Sequence, residues 1–191
     1  MASYKVECYT RDRFLNDMNK GNFDFINQAL TIISSHEKDE KYTRSDFDKF
    51  LSDSYETFSD SKNACGFVLL RDEKPISFVL FENVDFEDNN IAVSMIWTKS
   101  GAEGQGYARS LLSYALSYYA NNTDCESCRS IIDKNNESSI KIHSYFVNQN
   151  KGRLFKMNGK IVCELNVKSF ENQKDFVLIS SDAFAEQCQD A

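Results

Sequence analysis

The most informative segment of the chain is Trp97-Thr-Lys-Ser-Gly-Ala-Glu-Gly-Gln-Gly-Tyr-Ala-Arg-Ser-Leu-Leu112. An apolar strand ends at its beginning, a glycine-rich turn follows, and an amphipathic helix starts near Gly106. The first N–H groups of a helix lack partners within the helix and lie at the positive end of its dipole. Gly104 and Gly106 carry no side chain that would keep a ligand away from such groups. The segment therefore predicts a cradle for a phosphate or pyrophosphate, and a turn that binds no ligand is the alternative.

Two common nucleotide-binding motifs do not fit this segment. A Walker loop needs Gly-Lys followed by Ser or Thr after four spacer residues, and the segment has no such sequence. The dinucleotide-binding motif Gly-x-Gly-x-x-Gly would need glycine at position 109, which is occupied by Arg109. The sequence thus argues against both P-loop and Rossmann-type binding here.

Strand and helix signals continue on both sides of the glycine-rich segment. Runs rich in Val, Ile and Phe, separated by turn residues, predict an antiparallel meander at residues 66–70, 75–84 and 91–98. Apolar residues at helical spacing predict helices at 12–20, 23–35, 106–120 and 136–147, and one that starts at a Thr43 or Ser45 cap. Short strands are predicted at 4–9, 129–133 and 176–180, and Asn158-Gly159 predicts a hairpin that joins 154–157 to 160–167. The order of elements predicts an α+β fold.

Length and charge limit the class of protein. A chain of 191 residues is expected to form one domain, which we place at residues 1–181 with a C-terminal tail at 182–191. The net charge of −7 argues against nucleic-acid binding, which needs clustered Lys and Arg. No stretch approaches the ~20 apolar residues of a membrane span, and the first residues lack the apolar core of a secretory signal. We therefore expect a cytoplasmic protein that does not enter a membrane.

The six cysteines do not have the spacing of a disulfide framework. Cys125 and Cys128 have the spacing of half a zinc site, but no second pair and no spaced histidines accompany them. We expect free thiols and no bound metal.

The glycine-rich segment resembles the coenzyme A motif of the GCN5-related N-acetyltransferase (GNAT) family. That motif is Arg/Gln-x-x-Gly-x-Gly/Ala between a strand and a helix, and Glu103-Gly104-Gln105-Gly106-Tyr107-Ala108 matches it at Gly106 and Ala108. The resemblance extends over roughly residues 66–147. It implies the GNAT fold, a mixed and mostly antiparallel twisted sheet flanked by helices, and it implies acetyl-coenzyme A as the cofactor.

The same resemblance implies a role for each residue of the segment. The pyrophosphate would be bound by backbone N–H groups of Gly104, Gln105, Gly106, Tyr107, Ala108 and Arg109. The pantetheine arm and the thioester carbonyl would be held by the strand end at Ile96, Trp97 and Thr98, where an oxyanion donor contributes about 3 kcal/mol in a transition state. Glu103 departs from the family, which usually has Arg or Gln there. Its charge disfavours a pyrophosphate nearby, and Lys99 and Arg109 are candidates to offset that charge.

A second stretch, Asn136-Glu-Ser-Ser139-Ile-Lys-Ile142-His143, resembles the family motif Asn-x-x-Ala-x-x-Leu-Tyr. The resemblance implies that Asn136 hydrogen-bonds the pantetheine, that Ser139 packs beside the phosphate arm, and that position 143 reaches the thioester sulfur. His143 replaces the usual Tyr and, as an imidazolium, would protonate the leaving thiolate. A buried histidine with only a structural role is the alternative interpretation of His143, and Tyr145 is the alternative proton donor.

The general base is harder to place, because the family often has Glu on the strand before the loop. Here that strand reads Ile91-Ala-Val-Ser-Met-Ile-Trp-Thr98 and contains no carboxylate. Glu82 on the neighbouring strand is the candidate base, and Ser94 is a candidate to order a water. The acidic residues Asp85, Glu87 and Asp88 are expected to lie in a solvated turn.

Together these features predict an N-acetyltransferase that moves an acetyl group from acetyl-coenzyme A directly to a primary amine. The acceptor is expected to be a small molecule or a protein or peptide amine, and the protein a monomer or homodimer. A catalytically inactive acyl-coenzyme A-binding module that regulates or binds a partner is the alternative. A structural domain that binds no nucleotide is a third possibility.

Overall fold

The computed structural model describes residues 2–36, 43–83, 89–172 and 176–178. Along this part of the chain the elements are β1 Tyr4–Thr10, α1 Arg11–Asn19, α2 Asp24–Ile33, α3 Arg44–Asp60, β2 Cys65–Arg71, β3 Lys74–Asn83, β4 Asn90–Thr98, α4 Tyr107–Asn122, β5 Ser127–Ile132, α5 Glu137–Asn148, β6 Gly152–Met157 and β7 Lys160–Asn166. Short 3₁₀ turns follow α2 at Ser34–His36 and β7 at Val167–Phe170.

The seven strands form one sheet in the order β1-β2-β3-β4-β5-β7-β6. Neighbouring strands are antiparallel except for β4 and β5, which are parallel and are connected through α4. This is the mixed, mostly antiparallel sheet of the GNAT fold, so the predicted fold class is confirmed.

Strands β4 and β5 separate soon after they start. Their register covers only Asn90–Ala92 of β4 against Ser127–Arg129 of β5. Beyond these residues the described part of the chain shows no further pairing between the two strands, although β4 continues to Thr98. The sheet therefore opens into a wedge between β4 and β5, and this wedge contains the candidate site.

Helices cover both faces of the sheet, which explains why β2 is apolar along nearly its whole length. Val68 and Leu70 join the cluster formed with α1, α2 and α3 on one face. Phe67 and Leu69 join the cluster formed with α4 and α5 on the other face. Successive strand residues point to opposite faces, so an uninterrupted apolar run serves two cores.

Most of the predicted elements are present with shifts of one or two residues at their ends. Thr43, rather than Ser45, caps α3, and its hydroxyl accepts a hydrogen bond from the N–H of Asp46 while the Asp46 carboxylate accepts from the N–H of Thr43. The predicted hairpin turn is present, with Asn158 at φ 50° and Gly159 at φ 75°.

The strand predicted at residues 176–180 is wrong in its described part, since residues 176–178 form no strand. Asp85, Glu87 and Asp88 of the expected solvated turn lie outside the described residues, as does the proposed tail at 182–191. Within the described residues, no helix is long and apolar enough to cross a membrane.

Candidate active site

A cavity of about 880 Å³ occupies the wedge between β4 and β5. Its walls are the outer part of β4 (residues 93–98), the loop 102–109 that leads into α4, the end of β5 (130–133) and the first turns of α5. This volume lies within the range of pockets that bind small molecules and cofactors. The opening is a direct consequence of the short register between β4 and β5.

Three glycines shape the loop in front of α4. Gly101, Gly104 and Gly106 have φ values of 78°, 75° and 84°, a conformation that residues with a side chain seldom adopt. Gly106 is the N-cap of α4, so no side chain caps this helix, and its first turn contains no acidic residue. A side chain at Gly104 would extend into open space. The loop and the helix start thus present backbone N–H groups in a form that suits a phosphate group.

Glu103 has partners within the loop and across the site. Its Oε2 accepts a hydrogen bond of 2.6 Å from the N–H of Gly101, and its Oε1 lies 3.6 Å from Nδ1 of His36. The carboxylate therefore helps to close the turn that contains the glycines. This contact gives a structural reason for an acidic residue at a position where a cationic or amide side chain was expected.

His36 is a residue of this site that the sequence analysis missed. Its Nε2 donates a hydrogen bond of 2.8 Å to the carbonyl oxygen of Thr98, and its ring meets Trp97 edge-on with 5.3 Å between centroids. The hydroxyl of Ser35 accepts a hydrogen bond of 2.8 Å from the N–H of Ser100. The end of α2 is thus attached to the glycine-rich loop. Local sequence contains no signal for this contact, since more than 60 residues separate its two sides.

Arg109, one of the two residues expected to offset the charge of Glu103, makes a cation–π contact. Its guanidinium lies over the ring of Tyr145, 4.4 Å from the ring centroid, and burial lowers the pKa of Arg109. The basic group described beside Glu103 is His36, whose Nδ1 lies 3.6 Å from Oε1. Tyr145, the alternative proton donor, is largely buried in this stack and is not among the cavity-lining residues.

His143 lies on the wall of the cavity with only 1% of its surface exposed. Its Nδ1 lies 2.8 Å from the carbonyl oxygen of Ser139, and its Nε2 lies 2.8 Å from Oγ of Ser130. A carbonyl oxygen can only accept, so Nδ1 carries the proton. Burial lowers the pKa of His143, with the Ser139 bond acting in the opposite sense. The expected imidazolium is therefore replaced near neutral pH by a neutral ring whose Nε2 accepts from Ser130.

The other two residues of the second motif lie at the start of α5. Asn136 is the N-cap of this helix, and its Oδ1 accepts a hydrogen bond of 3.0 Å from the N–H of Ser139. Both residues line the cavity. Capping uses one lone pair of the amide oxygen, and the amide nitrogen is the group of Asn136 that can donate a hydrogen bond to a ligand.

Glu82 lies beside the cavity and not on its wall. It pairs with Ala92 across β3 and β4 and hydrogen-bonds Ser94, which does line the cavity. Burial raises the pKa of Glu82, and the bond from Ser94 opposes that rise. The predicted base is thus connected to the cavity through the serine that was expected to order a water.

The structure gathers the predicted cofactor residues around one cavity, with one exception. The exception is Gln105, whose Oε1 accepts a hydrogen bond of 3.0 Å from the hydroxyl of Tyr107. Those that line the cavity are Ile96, Trp97, Thr98, Gly104, Gly106, Tyr107, Ala108, Arg109, Asn136 and Ser139. Among the described residues, no group of three or more His, Cys, Asp or Glu side chains is placed to hold a metal ion.

Comparison with solved structures finds the same architecture in many acetyltransferases. An N-acetyltransferase from Staphylococcus aureus Mu50 is 18% identical with a TM-score of 0.55, and the match covers 87% of this chain and 99% of that one. The ribosomal-protein-S5-alanine acetyltransferase from Vibrio fischeri is 13% identical with a TM-score of 0.59, over 87% and 94% of the two chains. The Campylobacter jejuni N-acetyltransferase PseH, in complex with acetyl coenzyme A, is 15% identical with a TM-score of 0.55, over 86% and 99%. At these identities the likeness shows a shared fold.

Sequence comparison adds the family. No curated protein matches the chain. The model of the acetyltransferase (GNAT) family matches residues 29–146, which include the cavity-lining part of β4, the glycine-rich loop and the motif on α5. The match spans more than half of the chain and agrees with the sheet that opens between β4 and β5. The chain therefore belongs to the GNAT acetyltransferase family.

Proposed function

We propose that this protein transfers an acetyl group from acetyl-coenzyme A directly to a primary amine. The observation that carries the proposal is the wedge between β4 and β5, with a glycine-rich loop and an uncapped helix start at one end. The solved neighbour PseH is a complex with acetyl coenzyme A, which supports this donor. Acetyl-coenzyme A supplies the reaction with an acyl group activated as a thioester.

The residues of the wedge suit the two chemically different parts of this donor. The N–H groups near Gly104 and Gly106 suit the pyrophosphate, because anions are stabilised at the start of a helix. The edge of β4 beyond Ala92 does not pair with β5 in the described part of the chain, so its backbone suits the amide-containing pantetheine arm. Trp97 and Thr98 would lie along that arm.

The acceptor would approach from the side of β4 on which Glu82 and Ser94 lie. An attacking amine must lose a proton, and a carboxylate with a raised pKa is a better base than an ordinary one. We assign this role to Glu82, acting through Ser94 or a water molecule. The Vibrio fischeri neighbour is named for a ribosomal protein as acceptor, which supports a protein or peptide amine as one acceptor class, and small amines are the other class.

His143 would return a proton to the departing sulfur. Its neutral resting state means that the ring must gain a proton during the reaction before it can donate one. This requirement is the observation that favours a second candidate function, an acyl-coenzyme A-binding module without transferase activity. In that case the donor would bind and no amine would be acetylated.

Calorimetric titration with acetyl-coenzyme A tests the donor site, and the chain offers a matched pair of variants. Gly104 and Gly101 have nearly the same positive φ, and at both positions a side chain would meet open space, but only Gly104 lines the cavity. Gly104→Leu should raise the dissociation constant at least about tenfold, equivalent to about 1.4 kcal/mol. Gly101→Leu carries the same backbone strain and should bind almost as tightly as the wild type.

Equal effects of the two substitutions would show that strain in the loop, and not access to the cavity, controls binding. Absence of binding to the wild type would refute the proposed function. A screen of primary amines with the binding-competent protein then separates a transferase from a binding module, because only the transferase forms an acetylated amine.

A further inference from the structure

Ser130, His143 and the carbonyl group of Ser139 form a hydrogen-bonded chain, and the proposed transfer reaction uses His143 of this chain but gives Ser130 no role. Oγ of Ser130 lies 2.8 Å from Nε2 of His143, and Nδ1 of the same ring lies 2.8 Å from the Ser139 carbonyl oxygen. A hydroxyl in hydrogen-bond reach of a base, with that base oriented by a third group, is the arrangement that activates a serine nucleophile. Here a backbone carbonyl holds the position that a carboxylate holds in the serine hydrolases.

The direction of each hydrogen bond suits this role. The Ser139 carbonyl keeps the proton of His143 on Nδ1, so the lone pair of Nε2 points at the hydroxyl of Ser130. Burial keeps the ring neutral, which is the state that a base must have before it takes a proton.

The hydroxyl of Ser130 also lies at the cavity proposed for the donor. Ser130 is on β5 and 5% exposed, and both Ser130 and His143 line the wedge cavity opposite residues 93–98 of β4. A thioester bound along β4 would therefore share its cavity with this serine. Ser34 and Ser35, two other buried serines, donate instead to backbone carbonyl groups of α2.

We propose that Ser130 is a nucleophile and His143 its base, and that they give the protein a second activity, the hydrolysis of an acyl thioester. Oγ of Ser130 bonds to the acyl carbon while its proton passes to Nε2 of His143. The carbon–sulfur bond breaks, and Nε2 delivers the proton to the sulfur, so that a free thiol leaves. Water then attacks the acyl-serine, His143 takes the proton of the water, and the carbon–Oγ bond breaks. Ser130 regains its proton from His143, and a carboxylic acid is released.

This inference rests on the proposed donor but does not need an amine. The experiment therefore uses the full chain with acetyl-coenzyme A and no acceptor, and chromatography follows the release of free coenzyme A. Intact mass after an acid quench shows whether one acetyl group is attached to the protein. Trypsin cuts after Arg129 and Lys134, so an acetylated serine would be found in the short peptide of residues 130–134.

The wild type should release coenzyme A and, if deacylation is slower than acylation, should carry the acetyl group on that peptide. Ser130→Ala and His143→Gln should each lower the release rate about 100-fold, the size of effect expected for loss of a nucleophile or its base. His143→Gln keeps a hydrogen-bonding group next to Ser130 but cannot take the proton. Ser54→Ala is the control, because Ser54 is a buried serine on α3 that does not line the cavity.

Calorimetry with each variant separates this proposal from the donor site. A wild type that binds acetyl-coenzyme A but neither releases coenzyme A nor becomes acetylated would overturn the nucleophile and leave the transferase intact. Release by Ser130→Ala at the rate of the wild type would overturn it as well. Failure of the wild type to bind the donor would refute both proposals.

Discussion

Burial determines how His143 can take part in any reaction of this protein. An isolated histidine on a helix would be expected to exchange protons freely near pH 6.5, but here the ring is almost fully enclosed. The Ser139 carbonyl and the Ser130 hydroxyl satisfy both of its nitrogens. The side chain is consequently a neutral acceptor at rest, and this state is the basis for assigning it as the base for Ser130.

The same burial predicts how stability depends on pH. The folded protein holds the pKa of His143 below its unfolded value of about 6.5, so the unfolded chain binds more protons than the folded chain as the pH falls below that value. The stability that His143 provides is present above about pH 6.5 and is lost as the pH falls toward the folded pKa. We expect acidification from pH 7 to pH 5 to lower the free energy of unfolding more in the wild type than in His143→Gln.

Urea denaturation at a series of pH values measures this difference directly. Parallel pH curves for the two proteins would mean that His143 titrates alike in the folded and unfolded states, and that the ring is not enclosed in solution.

The Glu103 side chain has one favourable effect, on the loop, and one unfavourable effect, on an anionic ligand. Its carboxylate disfavours a pyrophosphate, but it also accepts the N–H of Gly101 and lies beside His36. Half of the side chain is exposed, so solvent reduces its unfavourable effect on an anion. The residue therefore stabilises the loop at a modest electrostatic cost to the ligand.

Among the elements, α3 shows how local sequence defines the start of a helix. Thr43 and Asp46 form a capping box, in which each side chain accepts a hydrogen bond from the backbone N–H of the other residue. Ser45 is also a good capping residue by type, but it lies within the first turn and is exposed. Residue type alone allowed either position, and the backbone geometry selects Thr43.

Thr43→Ala should lower the free energy of unfolding by about 1 kcal/mol, because the N–H of Asp46 loses its acceptor. Ser45→Ala is the matched control and should change stability by less than about 0.5 kcal/mol. The midpoints of urea denaturation give both values. A larger effect of Ser45→Ala would place the cap at Ser45, two residues later than in the structure.

The glycine-rich loop and the start of α4 are the parts of the fold that the sequence predicted best. Gly104 and Gly106 were singled out because they lack a side chain, and their positive φ values are a second reason for glycine at these positions. The α5 motif was located correctly as well, with Asn136 as a cap rather than a helical residue. Short-range rules are sufficient for such elements, because turns and caps depend on residues close in sequence.

Aromatic side chains pack the helical layer of α1, α2 and α3 onto the sheet. Phe25 of α2 is 2% exposed and contacts rings from several elements, including Tyr9 of β1 at 5.3 Å and Phe58 of α3 at 5.8 Å between centroids. Gly66 on β2 leaves the space that this ring fills, since a Cβ at position 66 would clash with Cε2 of Phe25. The fit of α2 against β2 therefore depends on a glycine far away in sequence.

Gly66→Ala should destabilise the protein by about 1–3 kcal/mol, because the added methyl group requires Phe25 to move within a filled core. Phe25→Leu in the same chain removes the ring and should recover part of this loss, so the two substitutions should be non-additive. Thermal or urea denaturation of the two single variants and the double variant measures the coupling. Additive effects would show that residue 66 of β2 and the Phe25 ring of α2 are not in close contact in solution.

Local sequence predicted the order of most strands and helices along the chain, because caps, turns and apolar periodicity depend on residues close in sequence. The family resemblance and the expected donor-binding residues were also visible in it. The extent of pairing between β4 and β5, and with it the presence of a cavity, became apparent in the folded structure. The tertiary structure also brought His36 to the glycine-rich loop and Ser130 to His143. These contacts join residues from separate elements. Burial by the elements packed around His143 then lowers its pKa, and no short stretch of sequence determines that burial.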